Sequence, residues 1–329
     1  NPGANGNVIV NLNADIGSVS DVATFAGIRV TSGGSNNLGD VSVNVNNASI
    51  FATGVGIEAR QFGFGNVDVI GTGTGTISAT GGTGISALIA NVRPGNININ
   101  VAQDVVGKTG GISAVTPGDG NISVTAGNVT TVGGTGINAT TTGLGGVTVA
   151  GSGDVTTGAG GTGINATITN AANASDVVVN RTGGNVTGDK GIVANTNGLG
   201  GVAVTASSVT ATAGNAIEAQ ASGFGVSDAG VTVTTLAGGV ISATGGTGIL
   251  VQNSLKGTGG ITVLNDAAIK VSGGTGIFAV RNQGSGDIKI TSNGAISSGT
   301  GGAGTLNTGI LAAMNPGANG NIAVGDLDR

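Results

Sequence analysis

Histidine, cysteine, tryptophan and tyrosine are all absent from this 329-residue chain. The side chains left for chemistry are hydroxyls, carboxamides, sixteen acids and eleven Lys or Arg. There is thus no imidazole base, no thiolate nucleophile and no imidazole or thiolate metal ligand. The most regular of the hydroxyls form a candidate stripe: Ser20, Ser78, Thr130, Thr156, Thr187, Thr210, Ser242 and Ser297, interrupted by Phe51, Gly107 and Lys270. A hydroxyl row of this kind could order ice, carry O-linked glycans or face a carbohydrate. It is equally the ordinary outer face of a strand repeat. Ice binding calls for two flat parallel threonine ranks, and the second rank is missing.

The acids are dispersed along the chain, beginning with Asp15, Asp21, Asp40, Glu58 and Asp68. A polysaccharide hydrolase or lyase needs paired carboxylates, or Asp with Arg, at one outer position of adjacent repeats. The acid–base neighbours found are Asp104 with Lys108 and Asp189 with Lys190, and both read as solvated turn pairs. The calcium-binding repeat Gly-Gly-x-Gly-x-Asp is not completed, because Gly-Gly-Thr-Gly is followed here by Ile. Asp176 and Asp287 read as left-handed turn residues. The phosphate-loop pattern ending in Gly-Lys-Ser/Thr is absent. The expectation is a chain that is not an enzyme and uses no cofactor or metal. Scattered Lys and Arg and a net charge of −5 lack the basic stripe that nucleic acid requires. No apolar run reaches the roughly 18 residues of a membrane helix, so a membrane is a partner only through an anchor domain elsewhere.

The elements that position these residues are written in an internal repeat. Gly/Ala-Ile-x-Ala/Val recurs with its isoleucine at Ile28, Ile57, Ile85, Ile112, Ile137, Ile164, Ile192, Ile217, Ile249, Ile277 and Ile310. The residue two places on is always Ala or Val, and the one between varies freely (Arg29, Glu58, Ser86, Asn138, Leu250). In–out–in alternation of this kind is a strand with one buried face. A second column pairs Val or Ile at i and i+2, from Val8 and Val10 to Ile322 and Val324, always preceded by Asn, Asp or Gly. Those types tolerate positive φ, which predicts a sharp left-handed corner before each strand. A third column reads Val19, Ile50, Ile77, Val106, Val129, Val155, Val186, Val209, Ile241, Ile269 and Ile296.

Strands this short cannot stand as a sheet alone. Stacked, each pairs with its own column one coil away, about 4.8 Å distant. The fold predicted is all-β: a right-handed parallel β-helix with three short strands per coil and about 11–12 coils, forming one domain over 1–329. Such a stack is about 55–60 Å long. The four Pro-Gly pairs, at Pro2, Pro94, Pro117 and Pro316, are expected turns with positive φ at Gly. Arg29 and Glu58 should meet as an exposed ion pair. Leu38, Phe64, Leu144, Leu199 and Phe224, each followed by Gly, are expected to plug the core at one corner. Residues 1–8 recur at 315–322, which together with the absence of capping segments predicts a section of a longer repetitive protein, or ends that dock on neighbours.

The Gly-Gly-Thr-Gly-Ile-x-Ala units, at Gly81–Ala87, Gly133–Ala139 and Gly160–Ala166, resemble the passenger region of bacterial autotransporters and related large surface adhesins. The resemblance implies an extracellular β-helical stalk displayed at the bacterial cell surface. The expected partners are a second copy stacked end to end, a host or matrix surface, or carbohydrate. The alternative is a polysaccharide-binding or polysaccharide-degrading β-helix.

Overall fold

The computed structural model describes residues 6–299 and 306–325, and among them there are strands and turns but no helix. Two compact units divide the chain, Asn1–Gly161 and Thr162–Arg329. Each is a parallel β-solenoid, and the two hold about ten turns between them.

In the first unit the isoleucine strands are Ala26–Ser32, Val55–Gln61, Thr83–Ile89, Gly110–Thr116 and Thr135–Thr141. They pair in parallel with Ile28, Ile57, Ile85, Ile112 and Ile137 in one register, and Val30, Ala59, Ala87, Ala114 and Ala139 in the next inward one. The valine column stacks Val8, Val41, Val67, Ile97, Ile122 and Val147 in the same way. From the second coil upward these side chains are almost wholly buried. Like on like is forced, because a one-residue slip would turn every apolar side chain outward. Each fully buried Ile or Val contributes about 1.5–3 kcal/mol.

The third column departs from its predicted residues at two coils. Ile16 bridges Ile50, and Ala23 bridges Ala52. The segment Gly17–Val22 is therefore an insertion opposite Phe51 alone. It turns on a Ser18–Asp21 backbone bond and carries Val19 into solvent, 85% exposed. Three coils on, Val105 rather than Val106 pairs with Ile77 and Val129, and Val105 is the buried one.

In the second unit the isoleucine column runs Ile164, Ile192, Ile217, Ile249, Ile277 and Ile310. The strands Val177–Gly188 and Val202–Ala211 pass through both other columns without a break. The corner there is reduced to a register shift between Arg181 and Asn185, so these coils have one long strand and one short isoleucine strand where three short ones were predicted.

Inside each unit the position four residues after the isoleucine is polar in several coils, and Ile89, Ile168 and Ala221 occupy it in others. Gln61, Thr116, Thr141, Thr196, Asn253 and Arg281 are all fully buried. Most of them close the next turn. The amides of Gly63, Gly118, Gly143, Gly198 and Leu255 donate to the side-chain oxygens of Gln61, Thr116, Thr141, Thr196 and Asn253 at 2.9–3.1 Å. Buried turn amides need such acceptors. Arg281 instead donates to the carbonyls of Gly259, Gly257 and Leu255 on the coil below.

Glycine precedes each corner of the first unit, at Gly39, Gly65, Gly95, Gly120 and Gly145. None of these has positive φ. What requires glycine is the coil beneath: a Cβ on Gly120 would lie 1.9 Å from the Gly95 carbonyl oxygen, and one on Gly145 1.9 Å from that of Gly120. The same holds for Pro117-Gly118, where the Cβ would lie 2.0 Å from the Arg93 carbonyl oxygen. The expected positive φ is found only at Gly317 of Pro316-Gly317. Pro2 lies outside the described residues.

Candidate functional site

The hydroxyl stripe is an outer row in each unit. In the first, Phe51, Ser78, Val106, Thr130 and Thr156 follow one another in register. In the second, Thr187, Thr210, Ser242, Lys270 and Ser297 do. Ser20 does not belong. It sits in the Gly17–Val22 insertion, exposed and bonded to Ser18 Oγ at 3.2 Å. Val106, not Gly107, interrupts the first row, and Gly107 lies inward. The bonds made by the stripe are structural in kind. Asn185 Nδ2 donates to Thr187 Oγ1 at 3.0 Å and to Thr210 Oγ1 at 3.4 Å, and Ser297 Oγ donates to the Ile269 carbonyl at 3.5 Å. A hydroxyl nucleophile needs a base within hydrogen-bond reach. These contacts supply amides and carbonyls.

The corner residues do something the φ argument missed. Asn7, Asp40, Asn66, Asn96 and Asn121 all have negative φ. Each side-chain oxygen accepts the backbone amide of the corner residue one coil up, in the sequence Asp40, Asn66, Asn96, Asn121 and Gly146, at 2.7–2.9 Å. In the second unit Asp176 accepts from Gly201 at 2.6 Å, and Asp287 from Asn321 at 2.7 Å. Asn and Asp recur because a short side chain with a planar acceptor spans one coil spacing. Asp176 and Asp287 are therefore ladder acceptors and not left-handed turn residues.

Glu58 meets Arg29 at 2.9 Å, and Arg60 from its other side. The pair expected to be exposed is thus a triad around an acid only 6% exposed. Arg29 also lies over Phe25, 5.4 Å from the ring centre. Asp104 accepts from Asn128 at 2.9 Å and Asp189 from Thr212 at 2.8 Å. Lys190 pairs with Glu218 at 3.4 Å. Among the described residues no three acids gather as a metal-holding group.

Asp68 is a half-buried acid. Its carboxyl is held above the ordinary carboxylate range, chiefly by burial; the Asn98 amide opposes this and Asp40 adds to it. An acid whose folded pKa exceeds its unfolded value stabilises the fold when protonated. That contribution is lost as pH rises from the unfolded value through the folded one. Asp68→Asn is expected to raise the thermal midpoint at neutral pH and to leave it nearly unchanged in acid, where Asp68 is already protonated. Melting curves across that pH range check it.

The corner plugs are overturned. Phe224 is 70% exposed, Leu38 59% and Leu144 45%, while Phe64 and Leu199 are half-buried. Phe64 stacks under Arg93 at 4.5 Å instead of filling the core. At these corners the glycine backbones touch the coil below, so no space remains for a plug.

Compared with known protein families, curated proteins and solved structures, the chain finds no match.

Proposed function

We propose that this chain is a structural or adhesive element of the bacterial exterior: a β-helical stalk, an adhesin passenger or a segment of a fibre. The observation that carries this reading is the in-register stacking of the isoleucine column within each unit. Inward residues repeat from coil to coil, while their outward neighbours change freely, from Arg29, Glu58 and Ser86 to Val193, Leu250 and Phe278. What repeats serves stacking, and what varies is displayed. In this reading the partners are a second copy, met end to end, or a host or matrix surface. Turnover of a substrate has no part in it. Repeat solenoids place binding on their outward residues and turns.

Immunolabelling of intact cells that make the protein tests the reading. Label on unpermeabilised cells is the expected result. Label that appears only after permeabilisation would contradict it, as would release of reducing or unsaturated ends from surface polysaccharide by the purified chain.

A further inference from the structure

The geometry points to a groove on the second unit that binds a neutral, linear oligosaccharide. The groove has a volume of about 620 Å³ and is lined by Asn197, Ser222, Ser254, Asn282 and Asn315, with Phe224 and Gln252 beside them. The first five are equivalent residues of five successive coils. Each directly follows an isoleucine-column strand, ending at Thr196, Ala221, Asn253, Arg281 and Met314. Their backbone amides donate to Ile168, Thr196, Ala221, Asn253 and Arg281 on the coil below at 2.7–2.9 Å. The strand ladder therefore continues beneath them and fixes their spacing at about 4.8 Å per coil.

The side chains are held in one sense. Asn315 Nδ2 donates to Asn282 Oδ1 at 2.7 Å, and Asn282 Nδ2 donates to Ser254 Oγ at 2.9 Å. Gln252 Nε2 also donates to Ser254 Oγ, at 3.0 Å. A carboxamide has two N–H donors and an oxygen with two lone pairs, so each keeps capacity for a ligand after these bonds. The row presents donors and acceptors together, at a repeat about the length of one pyranose ring. Sugar hydroxyls are themselves both donors and acceptors.

Phe224 completes the site. Scattered exposed apolar residues need no explanation, but this ring is 70% exposed on the wall of a concave groove whose other lining residues, Ala171 apart, carry polar side chains. The C–H face of a pyranose stacks on such a ring, whose face is electronegative. No lining side chain is ionisable, which selects a neutral glycan over an acidic one and makes binding insensitive to salt. The inference gives the adhesive reading a ligand class, but its test is independent of where the protein resides.

Titration calorimetry of the whole chain with hexasaccharides of glucose, mannose, xylose and N-acetylglucosamine is the experiment. At least one should bind at millimolar concentration or better, equally at low and high salt. Phe224→Ala and Asn282→Ala should each weaken it at least about ten-fold, or 1.4 kcal/mol, with unchanged melting curves. Phe25→Ala, at an exposed ring of the first unit, should leave it unaltered. Three results would overturn the site: no binding of any of the four, binding that survives both groove variants, or tighter binding of oligogalacturonate or of an uncharged peptide than of every neutral glycan.

Discussion

Gly120→Ala is expected to destabilise the first unit by about 3 kcal/mol or more, at the upper end for an overpacked site. Its new Cβ would lie 1.9 Å from the carbonyl oxygen and 2.4 Å from the carbonyl carbon of Gly95. Both are backbone atoms fixed by the corner ladder, so neither can move as a flexible side chain would. Relief requires the coils to part, which lengthens the Asn121–Asn96 bond of 2.8 Å and the strand bonds around it. Gly33→Ala is the control. A Cβ there meets nothing within 4 Å and the residue has no positive φ. Ala at such a site should be neutral or stabilising by about 0.4–1 kcal/mol, through a less flexible unfolded chain. Denaturant midpoints of the two variants should move in opposite directions. Equal effects would mean that close coil approach is not what glycine serves.

Arg281→Ala should cost the second unit about 3 kcal/mol, by the measure of a buried charge site that loses one side. The guanidinium is fully buried and its pKa is lowered by burial, with Asp287 opposing. Arginine nonetheless stays charged, and its N–H groups donate to the carbonyls of Gly259, Gly257 and Leu255. Truncation removes one donor from each of those oxygens, although Gly259 keeps the Asn253 carboxamide and Gly257 the Ser285 amide, and leaves a cavity. Arg281→Met separates the two costs. The same column carries Met314 one coil up, so the methionine shape is compatible with the register. Met should recover roughly half of the loss, the part due to volume. Full recovery would show that the carbonyl bonds contribute nothing. Lys should fail to rescue, because a single ammonium cannot span three carbonyls as a planar fork does.

The columns were legible because β-branched residues alternate with small polar ones at strand period, and because each column repeats its own residue type. Where the structure departs, an identifiable ambiguity is responsible. Periodicity alone sets Val19 and Ser20 in the stack, because they follow the valine column at the right distance. The Gly17–Val22 insertion, which shifts the true positions to Ile16 and Ala23, leaves no periodic mark. Val105 and Val106 are adjacent and alike, so periodicity could not choose between them. The corner Asn and Asp invite a conformational reading, whereas their use is a side-chain acceptor reaching across coils, a contact between residues 25 or more apart in sequence. The same is true of the polar interior. Thr116 and Thr141 look like outward threonines until the turn amide each one satisfies is seen. Of the candidate site, the hydroxyl stripe was legible apart from Ser20. The amide groove was not, because its coil-equivalent residues vary between Asn and Ser and so leave no single-residue column.

The most direct test of the stacking that underlies this account is a cysteine pair, which the cysteine-free sequence makes free of background. Ser86 and Ser113 are in-register partners on adjacent coils, and Asn138 lies on the coil beyond Ser113. Adjacent coils at about 4.8 Å fall within the Cα separations a disulfide accepts, whereas two coils, about 9.6 Å, lie beyond its limit of roughly 7 Å. Mild oxidation of the Ser86→Cys/Ser113→Cys variant should give a quantitative intramolecular disulfide, and the Ser86→Cys/Asn138→Cys variant should give none. Cross-linking of the second pair and not the first would contradict the coil register and, with it, the parallel solenoid.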